Sequence, residues 1–263
     1  MRAIRLAVLL VVVAFGPVAR AQDDPGARGE AVVTSRSLVA EPAGDWKIPI
    51  ELRVPAGVEK PPLVVIQHGY THRASFWLPL AEHLASRGFA VAVVDQPNPL
   101  DVDPSVWARR LRAAVDALEK DGSFDFERVA ILGHSYGGVA ATLLAAEDPR
   151  VKTVVSVAAG GLFVYRDRYL RAAEAMKQPL LAVSAETDTI VPTSIFSRPA
   201  FERARNARER LYVEVKGAGH LRFADVPLPG GDDQRATLAR HATGWLEGQL
   251  GLRGDSAEWI DGR

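Results

Sequence analysis

Short apolar runs alternate along this chain with longer stretches in which apolar residues recur at helical spacing. A run such as Leu63-Val64-Val65-Ile66 contains no polar residue, which is typical of a strand covered on both faces of its sheet. We predict strands at Ala31 to Val39, Ile48 to Val54, Leu63 to Gln67, Phe89 to Val94, Arg128 to Leu132, Val151 to Val157, Leu180 to Ser184 and Leu211 to Val215.

Helical patterns separate most of these strands. They run over Ala74 to Arg87, Pro104 to Glu119, Tyr136 to Glu147, Tyr169 to Met176, Pro199 to Ala207 and Gln234 to Gln249. Alternation of this kind predicts an α/β fold, a mostly parallel central sheet of about eight strands with helices on both faces. No internal repeat and no linker divides the chain after residue 21, so we predict one domain over 22–263.

The first 21 residues have the pattern of a secretory signal peptide. Arg2 and Arg5 precede the apolar run Leu6 to Phe15, and the small residues Ala19 and Ala21 form a cleavage pattern. A membrane anchor is the less favoured reading, because a run of about ten residues is too short to cross a bilayer core of roughly 30 Å as a helix. We predict cleavage near Ala21 and a secreted or periplasmic protein.

Composition restricts the chemistry. The chain has 263 residues and no Cys, which excludes disulfides, thiolate metal sites and a cysteine nucleophile. Its 32 basic and 32 acidic residues balance, and removal of the first 21 residues takes away three Arg and no acid, leaving a net charge of −3. Because phosphate binding needs a basic surface, we expect no nucleic acid partner.

The most informative motif follows the strand Arg128 to Leu132. There the chain reads Gly133-His134-Ser135-Tyr136-Gly137-Gly138 and continues into a helical pattern. A G-x-S-x-G motif between a strand and a helix makes a sharp, strained turn that exposes the serine hydroxyl, and small neighbours let the backbone approach it. We predict that Ser135 is a nucleophile; a structural glycine-rich turn is the alternative.

A serine hydroxyl needs a base, and that base needs an orienting acid. His220 lies on the loop Gly217-Ala218-Gly219-His220 after the last predicted strand, and among the histidines outside helical patterns it alone gives the chain order serine, acid, histidine. Asp188 and Glu186 both follow the strand Leu180 to Ser184. We choose Asp188 as the acid, keep Glu186 as an alternative, and assign Asp95 to a turn.

The other five histidines receive different interpretations. His83 and His241 fall within helical patterns, where a packed or solvated histidine is ordinary. His134 is too close to the nucleophile in sequence to reach its hydroxyl, and we expect it to pack beneath the turn. His68 is expected to support the loop that follows its strand, and His72 to lie near the entrance of the site.

An oxyanion hole for this chemistry takes one backbone N–H from the residue after the nucleophile and one from a loop after an early strand. Tyr136 supplies the first. Tyr70 is the best candidate for the second, in His68-Gly69-Tyr70-Thr71, and its ring is a candidate wall of the acyl pocket. A glycine turn with a surface tyrosine is the alternative.

At these residues the chain resembles the α/β-hydrolase superfamily, and within it the bacterial cutinase, polyester (PET) hydrolase and dienelactone hydrolase-like branch. The similarity runs from about Pro62 to Trp259. It is most specific in Val64 to Thr71, Leu84 to Val91, Gly133 to Gly138, Glu186 to Pro192 and Val213 to His220. The resemblance implies an α/β-hydrolase fold, a triad of Ser135, Asp188 and His220, and an oxyanion hole at Tyr70 and Tyr136.

The chain departs from that branch in three respects. Polyester hydrolases of the branch usually carry Met where this chain has Tyr136, which narrows or reshapes the pocket. They also place a Trp in the loop that here reads Ala159-Gly160-Gly161-Leu162-Phe163, and they carry a terminal disulfide that a chain without Cys cannot form. The first two differences bear on aromatic polyesters as substrates, and the third bears on stability.

Many lipases insert a lid where this chain has only Ala158 to Pro179, 22 residues that include the helical stretch Asp167 to Met176. We therefore expect no large lid domain and an open cleft. The expected activity is hydrolysis of short to medium acyl esters, with polyesters as further candidates, by a monomer without metal or organic cofactor. Its partner is a small-molecule or polymeric ester, and no stable membrane insertion is expected. Alternatives are an acyltransferase, perhydrolase or peptidase on the same scaffold, or a non-catalytic binding protein.

Overall fold

The computed structural model describes residues 24–42 and 46–253. The predicted signal peptide and the end of the resemblance at Trp259 lie outside them. Within the described residues the chain forms eight strands: β1 (Val33–Ala40), β2 (Ile48–Pro55), β3 (Pro62–Gln67), β4 (Ala90–Val94), β5 (Asp125–His134), β6 (Val151–Val157), β7 (Leu180–Ala185) and β8 (Arg210–Val215).

The same residues form α-helices between these strands: α1 (Leu78–Ser86), α2 (Pro104–Asp121), α3 (Tyr136–Glu147), α4 (Arg166–Ala175), α5 (Ser197–Arg203) and α6 (Asp232–Gln249). Short 3₁₀ turns occur at Ala74–Trp77, Phe163–Tyr165 and His220–Phe223. Each predicted strand and helix therefore has a counterpart, with ends that move by a few residues.

One predicted helix, Ala74 to Arg87, is wrong as a single element. The segment Ala74–Trp77 is a 3₁₀ turn, and the α-helix begins only at Leu78. Pro79 explains the break, because proline has no N–H to donate to the carbonyl four residues earlier and is tolerated only in the first turn of a helix. Helix α4 starts earlier than predicted, at Arg166, because its first turn is polar and carries no apolar periodicity.

The strands form one sheet in the order β1-β2-β4-β3-β5-β6-β7-β8. Strands β3 to β8 run parallel to one another, while β2 is antiparallel to both of its neighbours, β1 and β4. The expected mostly parallel sheet is confirmed, and with it the α/β-hydrolase fold. The antiparallel pair arises because β1 and β2 are consecutive and joined by a short connection, which parallel strands do not allow.

Two apolar cores cover the sheet, one on each face. Alternate residues of β3 divide between them: Leu63 and Val65 face the core built with α2 to α5, and Val64 and Ile66 face the core built with α1 and α6. Both faces of the central strands are thus buried, which explains their continuous apolar sequence. The sheet is a rigid base for the loops at its carboxyl edge.

Loops at that carboxyl edge carry the predicted site residues. Tyr70 follows β3, Ser135 follows β5, Asp188 follows β7 and His220 follows β8. Ligands of parallel α/β sheets characteristically bind at this edge. Residues 158–179 in the described chain contain a 3₁₀ turn and α4 and no inserted domain, as expected.

Candidate active site

Ser135 occupies a strained turn between β5 and α3. Its backbone has φ 53° and ψ −121°, a conformation that costs a non-glycine residue about 1–3 kcal/mol. The turn is held in place because the Ser135 N–H donates to the Val157 carbonyl (2.9 Å) and the Ser135 carbonyl accepts from the Gly138 N–H (3.0 Å). The neighbouring sheet strand and the first turn of α3 thus stabilise the strained residue.

The glycines around Ser135 are required by close backbone contacts. A Cβ atom at Gly133 would lie 2.3 Å from the Gly137 carbonyl oxygen. A Cβ at Gly137 would lie 2.3 Å from the carbonyl oxygens of Gln67 and His68, at the end of β3. No side chain fits at either position, so the motif brings the nucleophile loop directly against the loop that carries Tyr70.

His220 bridges Ser135 and Asp188. Its Nε2 lies 2.9 Å from Ser135 Oγ, and its Nδ1 lies 2.6 Å from Asp188 Oδ2. A carboxylate only accepts hydrogen bonds, so Nδ1 carries the proton and Nε2 is free to accept from the serine hydroxyl. The structure thus brings together the three residues that the sequence predicts as a triad, with all three side chains buried.

Asp188 is fixed by the main chain of its own loop. Its Oδ1 accepts from the N–H groups of Ile190 (3.0 Å) and Val191 (2.7 Å), which leaves Oδ2 for His220. The alternative acid, Glu186, is turned elsewhere and accepts from the Gly217 N–H at 2.9 Å. The structure therefore places Asp188, and not Glu186, against the histidine.

Asp95 supports a loop and does not reach His220. Its Oδ1 accepts from the Ala74 N–H (3.2 Å) and lies 3.0 Å from His68 Nε2. His68 in turn contacts the Gly69 carbonyl through Nδ1 at 2.8 Å. Both residues brace the segment that leads to Tyr70, which agrees with the turn and loop roles predicted for them.

His72 is not at the entrance of the site, so that prediction is wrong. Its side chain is buried, and its ring stacks on His134 with a centroid distance of 5.2 Å and an interplanar angle of 16°. The reason is a tight turn, closed by the His72 N–H and the Gly69 carbonyl (3.1 Å), which directs the ring inwards. Burial, with smaller effects from His68 and His220, lowers the pKa of His72 to about 4.

His134 lies beneath the turn, as predicted. It is fully buried, and its ring contacts the His220 ring at a centroid distance of 4.9 Å. Burial, helped by neighbouring His220 and His72, lowers its pKa well below the ordinary range, so the ring is neutral at neutral pH. The remaining histidines lie on helices, His83 on α1 and His241 on α6.

Tyr70 and Tyr136 lie on two sides of the nucleophile loop. Tyr136 is the first residue of α3, so its N–H has no acceptor within the helix and adds to the positive end of the helix dipole. The loop of Tyr70 passes close by, since a Cβ at Gly69 would lie 3.0 Å from Ser135 Cβ. The two tyrosine rings are in contact, with centroids 5.8 Å apart.

The side chain of Tyr136 fills a space between neighbouring loops. Its hydroxyl donates to the Val102 carbonyl, and its ring meets the edge of Trp107 at a centroid distance of 5.6 Å. Burial raises the pKa of Tyr136, so the hydroxyl keeps its proton. A Cβ at Gly161 would lie 2.3 Å from this ring. Sequence reasoning missed these contacts, although paired glycines after a strand are a signal of close approach.

Exposed apolar side chains surround the site on the loops after β3, β4, β6 and β7. The most exposed of these side chains are Phe163 and Val164, at 71% and 77%. We call the whole set the apolar rim: Tyr70, Leu100, Val102, Leu162, Phe163, Val164, Ile190 and Ile195. Exposed apolar groups clustered at one place on a protein mark a surface that binds another apolar body.

The described residues show neither a metal-binding cluster nor a membrane-spanning helix. No three His, Asp or Glu side chains among them cluster in a way that would hold a metal ion. None of their helices combines the length and the apolar character needed to cross a membrane.

Comparison with known proteins identifies relatives. Cutinase est2 of Thermobifida alba is 32% identical over 191 residues, which are 70% of this chain and 58% of that protein. Cutinase cut1 of Thermobifida fusca is 31% identical over 190 residues, 70% of this chain and 54% of that protein. The bis(hydroxyethyl) terephthalate hydrolase of Streptomyces coelicolor is 27% identical over 261 residues, 92% of this chain and 78% of that protein. The match thus spans little more than half the length of each cutinase.

A family model described as PET hydrolase-like matches residues 20–248. This match begins well before Pro62, the predicted start of the resemblance, and so includes β1 and β2. It covers most of the chain. The chain therefore belongs to the PET hydrolase-like family.

Proposed function

We propose that this chain is a serine hydrolase that cleaves carboxylic esters through an acyl-enzyme. The observation that carries the proposal is the hydrogen-bonded line from Ser135 Oγ to His220 Nε2 (2.9 Å) and from His220 Nδ1 to Asp188 Oδ2 (2.6 Å). The relatives named as cutinases and as a terephthalate ester hydrolase support the same class of reaction.

In the first half of the reaction, Ser135 Oγ attacks the ester carbonyl carbon while its proton passes to His220 Nε2. The imidazolium is stabilised by Asp188, whose second oxygen is occupied by two main-chain N–H groups and cannot rotate away. The oxyanion accepts hydrogen bonds from the N–H groups of Tyr70 and Tyr136. Collapse breaks the bond to the alcohol oxygen, which takes the proton from His220.

In the second half, water attacks the carbonyl of the acyl group on Ser135. His220 takes a proton from that water and returns it to Ser135 Oγ as the acyl bond breaks. The products are one carboxylic acid and one alcohol for each ester and water consumed. No metal or organic cofactor takes part in these steps.

We propose short to medium acyl esters as substrates, with polymeric esters as further candidates. The described chain has no lid between β6 and β7, and the apolar rim lies open to solvent. A substrate that is too large to enter a closed pocket has access to such a site. We propose that the protein acts as a monomer and, on the strength of its signal-peptide pattern, after export to the periplasm or the medium.

Substitution of the nucleophile tests the proposal. Ser135→Ala should lower kcat for p-nitrophenyl butyrate by at least about a thousandfold and abolish labelling by a fluorophosphonate. Ser37→Ala, which removes an exposed serine of β1, is the matched control and should behave as wild type. An Ser135→Ala protein that hydrolyses the ester at the wild-type rate overturns the proposal.

A substrate panel separates ester hydrolysis from the alternatives on the same scaffold. The panel contains esters from acetyl to dodecanoyl, one polyester film, a matched amide and an alcohol acceptor. We expect free acid from the short and medium esters as the main product. Faster cleavage of the amide, or transfer to the acceptor in preference to water, would assign the chain to the peptidases or acyltransferases instead.

A further inference from the structure

His134 contacts the main chain of His220. Its Nε2 lies 3.0 Å from the His220 carbonyl oxygen. A carbonyl oxygen only accepts, so Nε2 carries the proton of the neutral ring and donates it to this contact. His134 is also the residue before Ser135, at the end of β5. One side chain therefore links the strand of the nucleophile to the backbone of the histidine.

We propose that His134 is a positioning residue that holds His220 at the correct distance from Ser135, an inference that rests on the proposed function. With this contact His220 is fixed at three atoms. Ser135 meets its Nε2, Asp188 meets its Nδ1, and His134 meets its carbonyl oxygen. The first two contacts orient the ring, and the third fixes the main chain to which the ring is attached.

The loop of His220 needs such an anchor. It follows β8 through Gly217, which has φ 66°, and ends in a 3₁₀ turn of four residues. Ala218, two residues before His220, is held by Thr187, whose N–H and hydroxyl both donate to the Ala218 carbonyl (3.0 and 2.7 Å). His134 supplies the corresponding anchor at His220 itself. Without it the main chain of His220 loses its direct hydrogen bond to the end of β5. A displacement of about 1 Å at a catalytic group costs about a hundredfold in rate.

A neutral ring at His134 is compatible with the positive charge that forms on His220 during the proposed reaction. Its ring lies against the His220 ring, which becomes positively charged during the reaction, and a second charged ring there would oppose that step. Burial keeps His134 neutral. Within the described residues its Nδ1 has no hydrogen-bond partner, so protonation at that atom would gain no acceptor. The residue thus donates one hydrogen bond without adding charge.

Two substitutions separate positioning from simple packing. His134→Gln keeps an N–H donor of similar reach, whereas His134→Met keeps the bulk and loses the donor. We expect His134→Met to lower kcat by about ten- to a hundredfold and to change KM by no more than about twofold. We expect His134→Gln to keep kcat and KM near the wild-type values. The downfield proton resonance of the hydrogen bond between His220 and Asp188 should persist in the Gln variant and be broadened or shifted in the Met variant.

His83→Met is the matched control. His83 Nε2 also lies 3.0 Å from a backbone carbonyl, that of Pro25, and its other partner is Thr243. Loss of that hydrogen bond should lower stability and leave kcat unchanged. The proposal is overturned if His134→Met retains kcat within about threefold, or if His134→Gln falls as far as His134→Met.

If His134→Met does not fold, the Gln variant decides: a folded Gln protein with wild-type kcat supports the proposal, and a tenfold loss overturns it. If the wild-type protein hydrolyses no ester, the proposed function fails, while the proton resonance still reports whether His134 positions His220. The two inferences can thus fail independently.

Discussion

The hydroxyl of Tyr136 donates to the carbonyl of Val102, a residue 34 positions earlier in the chain. This contact ties the first residue after the nucleophile to the loop after β4. The same loop carries the exposed side chains of Leu100 and Val102, which form one side of the apolar rim. The side chain of Tyr136 thereby holds the loop after β4 in place, while its N–H, at the start of α3, has no acceptor within the helix.

Tyr136→Phe should separate these two roles. The substitution removes the hydroxyl and keeps both the ring and the backbone N–H, so we expect a loss of about 1 kcal/mol in stability and little change in kcat for short esters. Thermal unfolding and steady-state kinetics measure the two effects. A large fall in kcat on acetyl esters would show that the hydroxyl acts in the chemistry and not in holding the loop.

Asp188→Asn should inactivate the enzyme without disturbing its loop. The Asn oxygen still accepts from Ile190 and Val191, but its NH₂ group then faces His220 Nδ1 and forces the proton onto Nε2. A ring protonated at Nε2 cannot accept from Ser135, so we expect kcat to fall by about 10⁴. Glu186→Gln is the control, because it keeps an acceptor for Gly217 and should retain activity. Equal losses in both variants would contradict the assignment of the acid.

Much of this architecture follows from the sequence for simple physical reasons. Apolar runs without alternation require strands that are covered on both faces, and parallel strands bring their carboxyl ends to one edge, so chain order is enough to group Ser135, Asp188 and His220. The catalytic roles of these three residues stay predictions, although the hydrogen bonds of His220 to the other two match what the roles require.

Other features of the site depend on contacts that no local pattern encodes. The position of His72 in a loop predicts a place near the entrance, yet a single backbone turn buries its side chain. The contact between Tyr136 and Val102 joins two loops of different strands and leaves no periodicity in either. Only the glycines at 160 and 161 gave a local sign that something large packs against that loop.

Gly161→Ala should test the packing of Tyr136. The added Cβ would lie 2.3 Å from the ring, which is held by its hydroxyl and by Trp107, so we expect a destabilisation of about 1–3 kcal/mol. Gly219→Ala is the matched control, since a Cβ there meets no atom within 4 Å among the described residues. Chemical denaturation of both variants measures the difference. Equal stabilities would show that the ring moves aside freely.

His72 should make stability depend on pH in a defined window. Its pKa is about 4 in the folded protein and 6.5 in the unfolded chain. As pH falls from 6.5 to 4, His72 binds a proton in the unfolded chain but stays neutral in the folded protein. The free energy of unfolding therefore decreases, by about 3 kcal/mol at most. Above pH 6.5 both forms are neutral and the effect vanishes.

His72→Phe removes that titration. Urea unfolding of wild type and variant at pH 7.5 and pH 5 should show that the wild type loses more stability on acidification. Buried groups that do not interact with His72 titrate in both proteins and cancel in the comparison. If the free energies of unfolding of wild type and His72→Phe differ by the same amount at both pH values, the prediction is contradicted.

Adsorption to a polymer should depend on the apolar rim and not on the triad. Phe163 and Val164 are 71% and 77% exposed, so their replacement by Ser in one variant removes apolar surface without disturbing a core. We expect depletion of the protein by an aliphatic polyester film to weaken by at least about tenfold, because contact buries two apolar side chains. Kinetics on soluble p-nitrophenyl acetate should not change. Val32→Ser is the control: Val32 is also 71% exposed but precedes β1, away from the carboxyl edge. If the control weakens adsorption as much as the rim variant does, adsorption is non-specific and the rim has no special part in it.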